Sequence, residues 1–142
     1  MTGGLRVLIL LISLVLVAGC GSPTRKASSA EDFDSFLTRF LTDKEFRRDR
    51  VPVPLTAVLA VCGPETPKVE HWSREEIDRQ GFYPLDRAGL DAEGLTQRVE
   101  RISEGETELT QYQEESDSYV AVFRFSLRGG QWFLVKVEDR SC

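Results

Sequence analysis

The last quarter of the chain has the alternating pattern of two β-strands joined by a tight turn. Apolar residues occupy every second position of the first segment, at Tyr119, Ala121, Phe123, Phe125 and Leu127. Gly129 and Gly130 then turn the chain into a second apolar segment, Trp132 to Val137. The pattern predicts a β-hairpin, preceded by a third antiparallel strand around 108–113.

The second strand of this hairpin is apolar on both faces. Trp132 and Leu134 share one face, and Phe133, Val135 and Val137 share the other. A strand that is covered on both sides belongs in the interior of a sheet, so we expect this strand to be central.

An amphipathic helix precedes these strands near the start of the folded region. Its apolar residues follow the i, i+3, i+4, i+7, i+8 spacing of one helical face, at Phe33, Phe36, Leu37, Phe40 and Leu41. Such a stripe is far more often core than a binding platform. Ser28 and Glu31 predict a capping box at its start, and Thr42 and Glu45 predict a second, shorter helix over 43–48 with Phe46 in the core.

The middle of the chain is less regular. After the proline-rich lead-in of residues 51–54, the apolar run Leu55 to Cys62 predicts a strand. Ser73 and Glu76 form another capping box for a short helix over 74–79, and Gly81 ends it. Residues 86–106 fit either a helix or irregular structure leading into a strand. Together these elements predict an α+β domain.

The N-terminus has the pattern of a bacterial lipoprotein signal. The apolar segment from Val7 to Ala18 follows Arg6 and is too short for the roughly 20 residues of a membrane-spanning helix. It ends in Val17-Ala18-Gly19-Cys20, which resembles the lipobox after which signal peptidase cuts and the cysteine is acylated. The alternative is an ordinary secretory signal, with Cys20 as a plain thiol.

These features divide the chain into three parts. We predict a lipoprotein signal peptide at 1–19, an acylated Cys20 with a flexible tether at 20–30, and a single α+β domain at 31–142. Gly21 follows the modified cysteine, and the absence of Asp at this position favours the outer membrane, facing the periplasm. After cleavage 17 Lys and Arg remain against 23 Asp and Glu, a formal charge of −6, which argues against nucleic acid as a partner.

Two further cysteines, Cys62 and Cys142, remain once Cys20 is acylated. Because the bacterial envelope is oxidising, we expect a disulfide between them, and the alternative is two free thiols. On the chain-entropy model a bond across 80 residues contributes about 4.5 kcal/mol to stability. No Cys-x-x-Cys spacing supports a redox-catalytic pair.

The candidates for catalysis are few. His71 is the sole histidine, and its charged, proline-containing surroundings favour a solvated loop or edge position. Arg124 alternates with Phe123 and Phe125, which favours a solvated sheet position over contact with a ligand carboxylate. Arg47, Arg48 and Arg50 lie beside acidic residues and favour a surface charge network. We expect no cofactor and no metal site, since no cluster of ligand residues is present.

Several short motifs are distributed over most of residues 31–142, namely Phe33-x-x-Phe36-x-x-x-Phe40, Asp43-x-x-Phe46, Arg50, Pro54-Leu55 and Gly130-x-Trp132-x-Leu134-Val135. In these motifs the chain resembles an uncharacterised family of bacterial lipoproteins, known only as a domain of unknown function, with the cone-shaped fold of the nuclear-transport-factor-two-like superfamily. This is a resemblance of fold. It implies N-terminal helices packed on a curved, mainly antiparallel sheet, with a pocket where the sheet faces the long helix. It also implies that sheets often pair through their outer faces, where Val120 and Val122 would suit a dimer.

The resemblance carries no activity, because this fold supports both enzymes and binding proteins. We expect a non-enzymatic lipoprotein, anchored to the membrane, that binds a small apolar ligand, a peptide or an envelope protein. One alternative is a small hydrolase or isomerase with pocket carboxylates, which a buried Asp or Glu of raised pKa would favour. Another is an interaction module in envelope assembly or inhibition, which a large exposed apolar patch would favour.

Overall fold

The computed structural model of the protein describes residues 29–63, 65–116 and 118–142, which form four helices and six strands. The helices are α1 (Phe33–Thr42), α2 (Lys44–Asp49), α3 (Arg74–Gln80) and α4 (Arg87–Glu93). The strands are β1 (Leu55–Leu59), β2 (Lys68–Trp72), β3 (Thr96–Ser103), β4 (Glu106–Tyr112), β5 (Val120–Arg128) and β6 (Gln131–Asp139).

The six strands form one curved sheet in the order β2-β1-β6-β5-β4-β3. Neighbouring strands are antiparallel except β1 and β6, which run parallel with Thr56 opposite Lys136 and Leu59 opposite Asp139. The predicted α+β class with a curved, mainly antiparallel sheet is confirmed. The closing hairpin is β5 and β6, and β6 lies between β5 and β1, as its two apolar faces predicted.

A β-bulge in β6 changes which residues share a face. Arg124 lies opposite Lys136 whereas Phe125 lies opposite Leu134, so Val135 is the extra residue. The bulge places Val137 on the same buried side as Trp132 and Leu134. The prediction that Val137 shares a face with Phe133 and Val135 was therefore wrong, because regular alternation does not survive an inserted residue.

The aromatic face of α1 forms the centre of the core. Phe33, Phe36, Leu37 and Phe40 are all buried on the sheet, as the spacing predicted. The rings of Phe33, Phe36 and Phe40 each lie 5.4 to 5.6 Å from the ring of Phe125, and Phe33 also lies 5.0 Å from Trp132. Phe46 of α2 packs against the edge of this cluster.

The caps of the first two helices differ from the prediction. Asp32, not Ser28, caps α1 by accepting a hydrogen bond from the Ser35 amide at 2.9 Å, and Ser28 lies outside the described residues. Asp43, not Thr42, caps α2 by accepting from the Phe46 amide at 3.0 Å. At the start of both helices an aspartate carboxylate accepts the capping hydrogen bond that the sequence assigned to a serine or threonine hydroxyl.

The third helix matches its sequence signals. Ser73 and Glu76 form the predicted capping box of α3. Gly81 follows the helix with φ of 60°, a left-handed conformation that favours glycine. Residues 86–106, left open by the sequence, hold α4 and β3.

Glu31 and Arg50 join the start of the domain to the central strand. Arg50 donates two hydrogen bonds to the Glu31 carboxylate, at 2.9 and 3.2 Å, and one to the Trp132 carbonyl at 3.1 Å. The Trp132 amide donates to the same carboxylate at 2.9 Å. The predicted surface charge network is wrong for Arg50, because its side chain is only 11% exposed.

Candidate functional site

The space between α1 and the centre of the sheet, where the resemblance implied a pocket, is occupied by aromatic side chains. The rings of α1 contact Phe125 and Trp132 from one side. Phe82 extends the same cluster, with its ring 5.5 Å from Phe123 and 6.4 Å from Trp72. This part of the molecule is packed core, and the open clefts lie at its margin.

Two adjoining clefts lie where α1, α2 and the segment 81–86 meet. One has a volume of about 410 Å³ and the other about 450 Å³, and both are open to solvent. They share Lys44, Arg47 and Tyr83 as walls, so we describe them together as the rim groove. The remaining lining residues are Leu41, Thr42, Glu45, Arg48, Asp78, Gly81, Pro84, Leu85 and Asp86.

Arg47 is the fixed part of the rim groove. Its guanidinium donates to the carbonyl of Phe40 at 2.8 Å and to that of Leu41 at 2.6 Å. These are carbonyls of the last turn of α1, which lack partners within the helix. The guanidinium also lies 4.9 Å from the centre of the Tyr83 ring. Arg47 therefore closes the end of α1 and supports Tyr83.

Gln111 holds the opposite wall in place. Its side chain is completely buried, and it accepts a hydrogen bond from the Leu85 amide at 2.9 Å while donating to the Leu85 carbonyl at 2.8 Å. This two-bond contact pins the segment 81–86 to β4. Sequence reasoning missed Gln111, although a glutamine amid the alternating β4 positions is the signal that could have indicated it.

Tyr83 is the main aromatic surface of the groove. Burial raises the pKa of its hydroxyl, and the nearby carboxylate of Asp78 adds to the rise, while Arg74 and Arg47 oppose it. The phenol is therefore neutral at physiological pH and can donate or accept a hydrogen bond.

Charged groups of both signs surround Tyr83. Lys44, Arg48 and Asp78 are exposed, and none of them makes an ion pair with another described residue. Asp86 is occupied as the cap of α4, where it accepts from the Gly89 amide at 2.9 Å. The groove thus combines the apolar side chains of Leu41, Pro84 and Leu85 with charged side chains from α2 and α3 that have no ion-pair partner among the described residues.

The structure describes the predicted disulfide but not the predicted lipid attachment site. Cys20 lies outside the described residues, as do the signal peptide and most of the tether. Cys62 and Cys142 form a disulfide, with their Cα atoms 5.6 Å apart. Strand β1 ends at Leu59, three residues before the predicted end at Cys62. The disulfide therefore lies beyond the strand.

The structure also places His71 and Arg124, the two residues considered singly as site candidates, outside the lining of the groove. His71 is exposed on the edge strand β2, opposite Thr56, in agreement with its predicted edge position. Arg124 lies on the outer face of the sheet, where it donates to the Glu108 carboxylate at 2.7 Å. That hydrogen bond raises the pKa of the Arg124 guanidinium above its ordinary value.

The outer face does not carry the apolar patch expected for pairing. Val122 is only 2% exposed, and it lies between Thr110 of β4 and Glu138 of β6. Ion pairs surround it, including Arg124 with Glu108 and Glu138 with both Lys136 and Arg140. The expectation that Val120 and Val122 form an apolar pairing surface was therefore wrong for Val122.

The described part of the chain has neither a membrane-spanning helix nor a cluster of metal ligands. None of its helices is both long and apolar enough to cross a bilayer. No three of its His, Cys, Asp or Glu side chains lie close enough together to hold a metal ion.

Comparisons with known proteins identify the fold. No family model matches the sequence, and no curated protein matches it. An NTF2-like protein from Bacteroides fragilis, known from its crystal structure, superposes with a TM-score of 0.59 at 20% identity, over 80% of this chain and 48% of that one. A protein from Bacteroides uniformis, solved by NMR, has a TM-score of 0.49 at 22% identity, over 78% of this chain and 77% of its own. The chain thus spans about half the length of the first protein, and its fold is NTF2-like.

Proposed function

We propose that this chain with an NTF2-like fold is a lipid-anchored protein of the bacterial envelope that binds, without catalysis, a peptide segment of another envelope protein. The rim groove is the binding site. The observation that carries the proposal is the placement of Tyr83 and Arg47 as shared walls of two adjoining open clefts.

The shape of the groove favours an extended ligand. Two clefts in a row provide a trough rather than an enclosed cavity, and aromatic rings fill the space beneath α1. A small apolar ligand is disfavoured, because clefts that are open to solvent would leave much of its surface in contact with water. A peptide can place an apolar side chain on Tyr83 and Pro84 while its backbone and charged groups bind Lys44, Arg48 and Asp78.

The charges argue against the hydrolase or isomerase alternative. A catalytic acid in an apolar pocket would have a raised pKa. Among the described residues, the carboxyl groups whose pKa is shifted all shift downward, at Asp32, Asp43, Glu70, Glu76 and Glu138. None of these five lines the rim groove, so none of the shifted carboxyl groups supports the hydrolase or isomerase alternative.

The anchor rests on the sequence Val17-Ala18-Gly19-Cys20. Growth with a labelled fatty acid should label the protein, and Cys20→Ala should abolish the label and leave the uncleaved precursor. A Cys20→Ala protein that still carries lipid would show that the anchor lies elsewhere. This test is independent of the groove.

Native mass spectrometry distinguishes the kinds of ligand. The chain from Gly21, exported to a periplasm behind a cleavable signal and purified gently, should carry no small molecule. A co-purifying small molecule that is lost on substituting Tyr83 would instead assign the groove to a small ligand and overturn the peptide proposal.

Photocrosslinking in cells then tests for the peptide. A photoreactive amino acid replaces Arg48, which is exposed at the groove, or Arg128, which is exposed at the turn between β5 and β6. We expect the Arg48 probe to give one discrete adduct that maps to a single segment of an envelope protein. The Arg128 probe is the matched control and should not give this adduct.

A second test of the binding site reverses one charge of the groove. Lys44→Glu in the chain that carries the Arg48 probe should reduce the adduct several-fold, because it reverses an exposed charge on the groove wall. Equal adducts from both probe positions, or an adduct unaffected by Lys44→Glu, would overturn the groove as the binding site.

A further inference from the structure

The strand β3 forms one edge of the sheet and is exposed along its length. Seven of its eight residues are exposed, and among the strands that the structure describes only β4 pairs with it. In the described part of the chain, no other backbone group bonds to β3 from its outer side. An unpaired strand edge is a template for pairing with another chain.

The two edges of the sheet are not equivalent. The opposite edge, β2, has five residues, and its Lys68 and Glu70 are paired with each other at 2.6 Å. The edge β3 has eight residues, and residues 96–101 pair with β4 in regular register before an irregularity at Ile102. Each edge carries exposed valine, Val99 on β3 at 44% and Val69 on β2 at 59%. The difference between the edges is therefore length and charge pairing, and a short edge with satisfied charges resists pairing more than a longer one.

Charges on β3 also lack partners within the chain. Arg98 lies opposite Thr110, and Glu100 lies opposite Glu108, a residue of like charge that Arg124 neutralises. Neither Arg98 nor Glu100 forms an ion pair with another described residue. Both side chains are therefore available to a strand added at this edge.

We infer that β3 pairs antiparallel with β3 of a second copy of this chain, with the two-fold axis at Val99. Along a strand, every second residue directs its backbone N–H and C=O toward the same edge. Residues of one kind must face each other when two identical edges pair antiparallel, so the two-fold axis lies at a residue and not between two residues. An axis at Val99 places Arg98 opposite Glu100 of the second copy, and the symmetry makes this pair twice.

The other registers lack this complementarity. An axis at Arg98 sets the two copies of Arg98 against each other, and an axis at Glu100 does the same for the glutamates. An axis at Arg101 sets the two copies of Arg101 against each other. The register at Val99 also places Gln97 opposite Arg101 and one Val99 against the other, so it is the one in which opposite charges meet and like charges do not.

Charge reversal tests this register. Arg98→Glu and Glu100→Arg each replace two attractive pairs by two repulsive ones, so each should weaken the dimer about tenfold or more. The double variant Arg98→Glu, Glu100→Arg restores opposite charges across the axis and should recover the wild-type dissociation constant within about threefold.

The measurement uses the full-length chain, expressed in bacteria, extracted in a mild detergent and followed by sedimentation over a range of concentrations. Matched controls are Arg128→Glu and Glu75→Arg, which make the same changes in net charge at exposed positions away from β3. Circular dichroism melting checks that each variant is folded, since all four side chains are exposed.

A monomeric wild-type chain at 100 µM would overturn the proposal. A dimer unaffected by either single reversal would overturn it too, because the interface would lie elsewhere. Failure of the double variant to recover would reject the axis at Val99. None of these outcomes depends on the rim groove.

Discussion

Thr107 is a buried residue whose hydroxyl has no hydrogen-bond partner. It lies on β4 opposite Phe125, and it is 2% exposed. Burying a hydroxyl without a partner costs about 1–3 kcal/mol by mutational measurements. Thr107→Val keeps the shape of the side chain and removes this cost, so we expect the free energy of unfolding to rise by about 1 kcal/mol.

Urea unfolding followed by circular dichroism checks this expectation. Thr110→Val, on the same strand but only half-buried on the outer face, is the matched control for the higher β-propensity of valine. A gain at Thr107 no larger than that at Thr110 would show that the hydroxyl carries no cost.

The segment 81–86 is the element whose position depends most on a single side chain. Gln111→Leu keeps a buried side chain of similar size but leaves the amide and carbonyl of Leu85 without their partner. Such a loss costs about 1–3 kcal/mol. We expect lower stability and a loosened groove wall.

Hydrogen exchange locates the change. Peptides covering 81–86 should exchange faster in Gln111→Leu, while peptides from α1 should keep their protection relative to the global stability. Gln113→Leu, an exposed position near the end of the same strand, is the matched control. Unchanged exchange at 81–86 would mean that other contacts hold this segment.

The elements found from the sequence were those with a strong apolar period or a specific cap. The stripe of α1, the hairpin of β5 and β6, and the capping box at Ser73 each have such a signal. The strand β3 has none, since its two apolar residues, Val99 and Ile102, are both exposed and their spacing does not alternate.

The candidate site was harder to predict than the fold. The groove depends on Arg47 reaching back to carbonyls of α1 and on Gln111 reaching across 26 residues to Leu85. The bulge at Val135 likewise follows from how β5 and β6 pair. These are tertiary contacts, and neither periodicity nor capping reports on them.

The disulfide constrains the whole molecule, because Cys62 and Cys142 are separated by 80 residues that include five of the six strands. We expect replacing both cysteines by serine to lower the free energy of unfolding by about 2–4 kcal/mol, somewhat below the chain-entropy limit. Urea unfolding with and without a reductant measures this. The reductant should destabilise the wild type and leave the double serine variant unchanged; equal stability of the two proteins would show that the bond does not contribute.

The acid side of the stability profile follows from the lowered carboxyl pKa values. The Ser35 and Phe46 amides lower the pKa of Asp32 and Asp43, and Lys68 lowers that of Glu70. Burial opposes the shift at Glu138, but bonds from Arg140 and Lys136 outweigh it and lower that pKa too. A group whose pKa is lower in the folded state contributes stability above its unfolded pKa, and this stability is lost as pH falls through the folded value. We expect the urea midpoint to decrease below about pH 4.5.

The loss of stability at alkaline pH has the opposite cause, because it follows from raised pKa values. Burial raises the pKa of Tyr83 and Tyr119 above 10.0, so the folded protein favours the neutral phenols. The stability that depends on them is present below pH 10 and is lost as pH rises through the raised values. Replacing both by phenylalanine should flatten the decrease in urea midpoint above about pH 10, whereas Tyr112→Phe serves as the control. A double variant with the wild-type alkaline slope would assign that loss to other groups, and the half-buried Tyr83 of the groove would then be free to ionise at no cost to the fold.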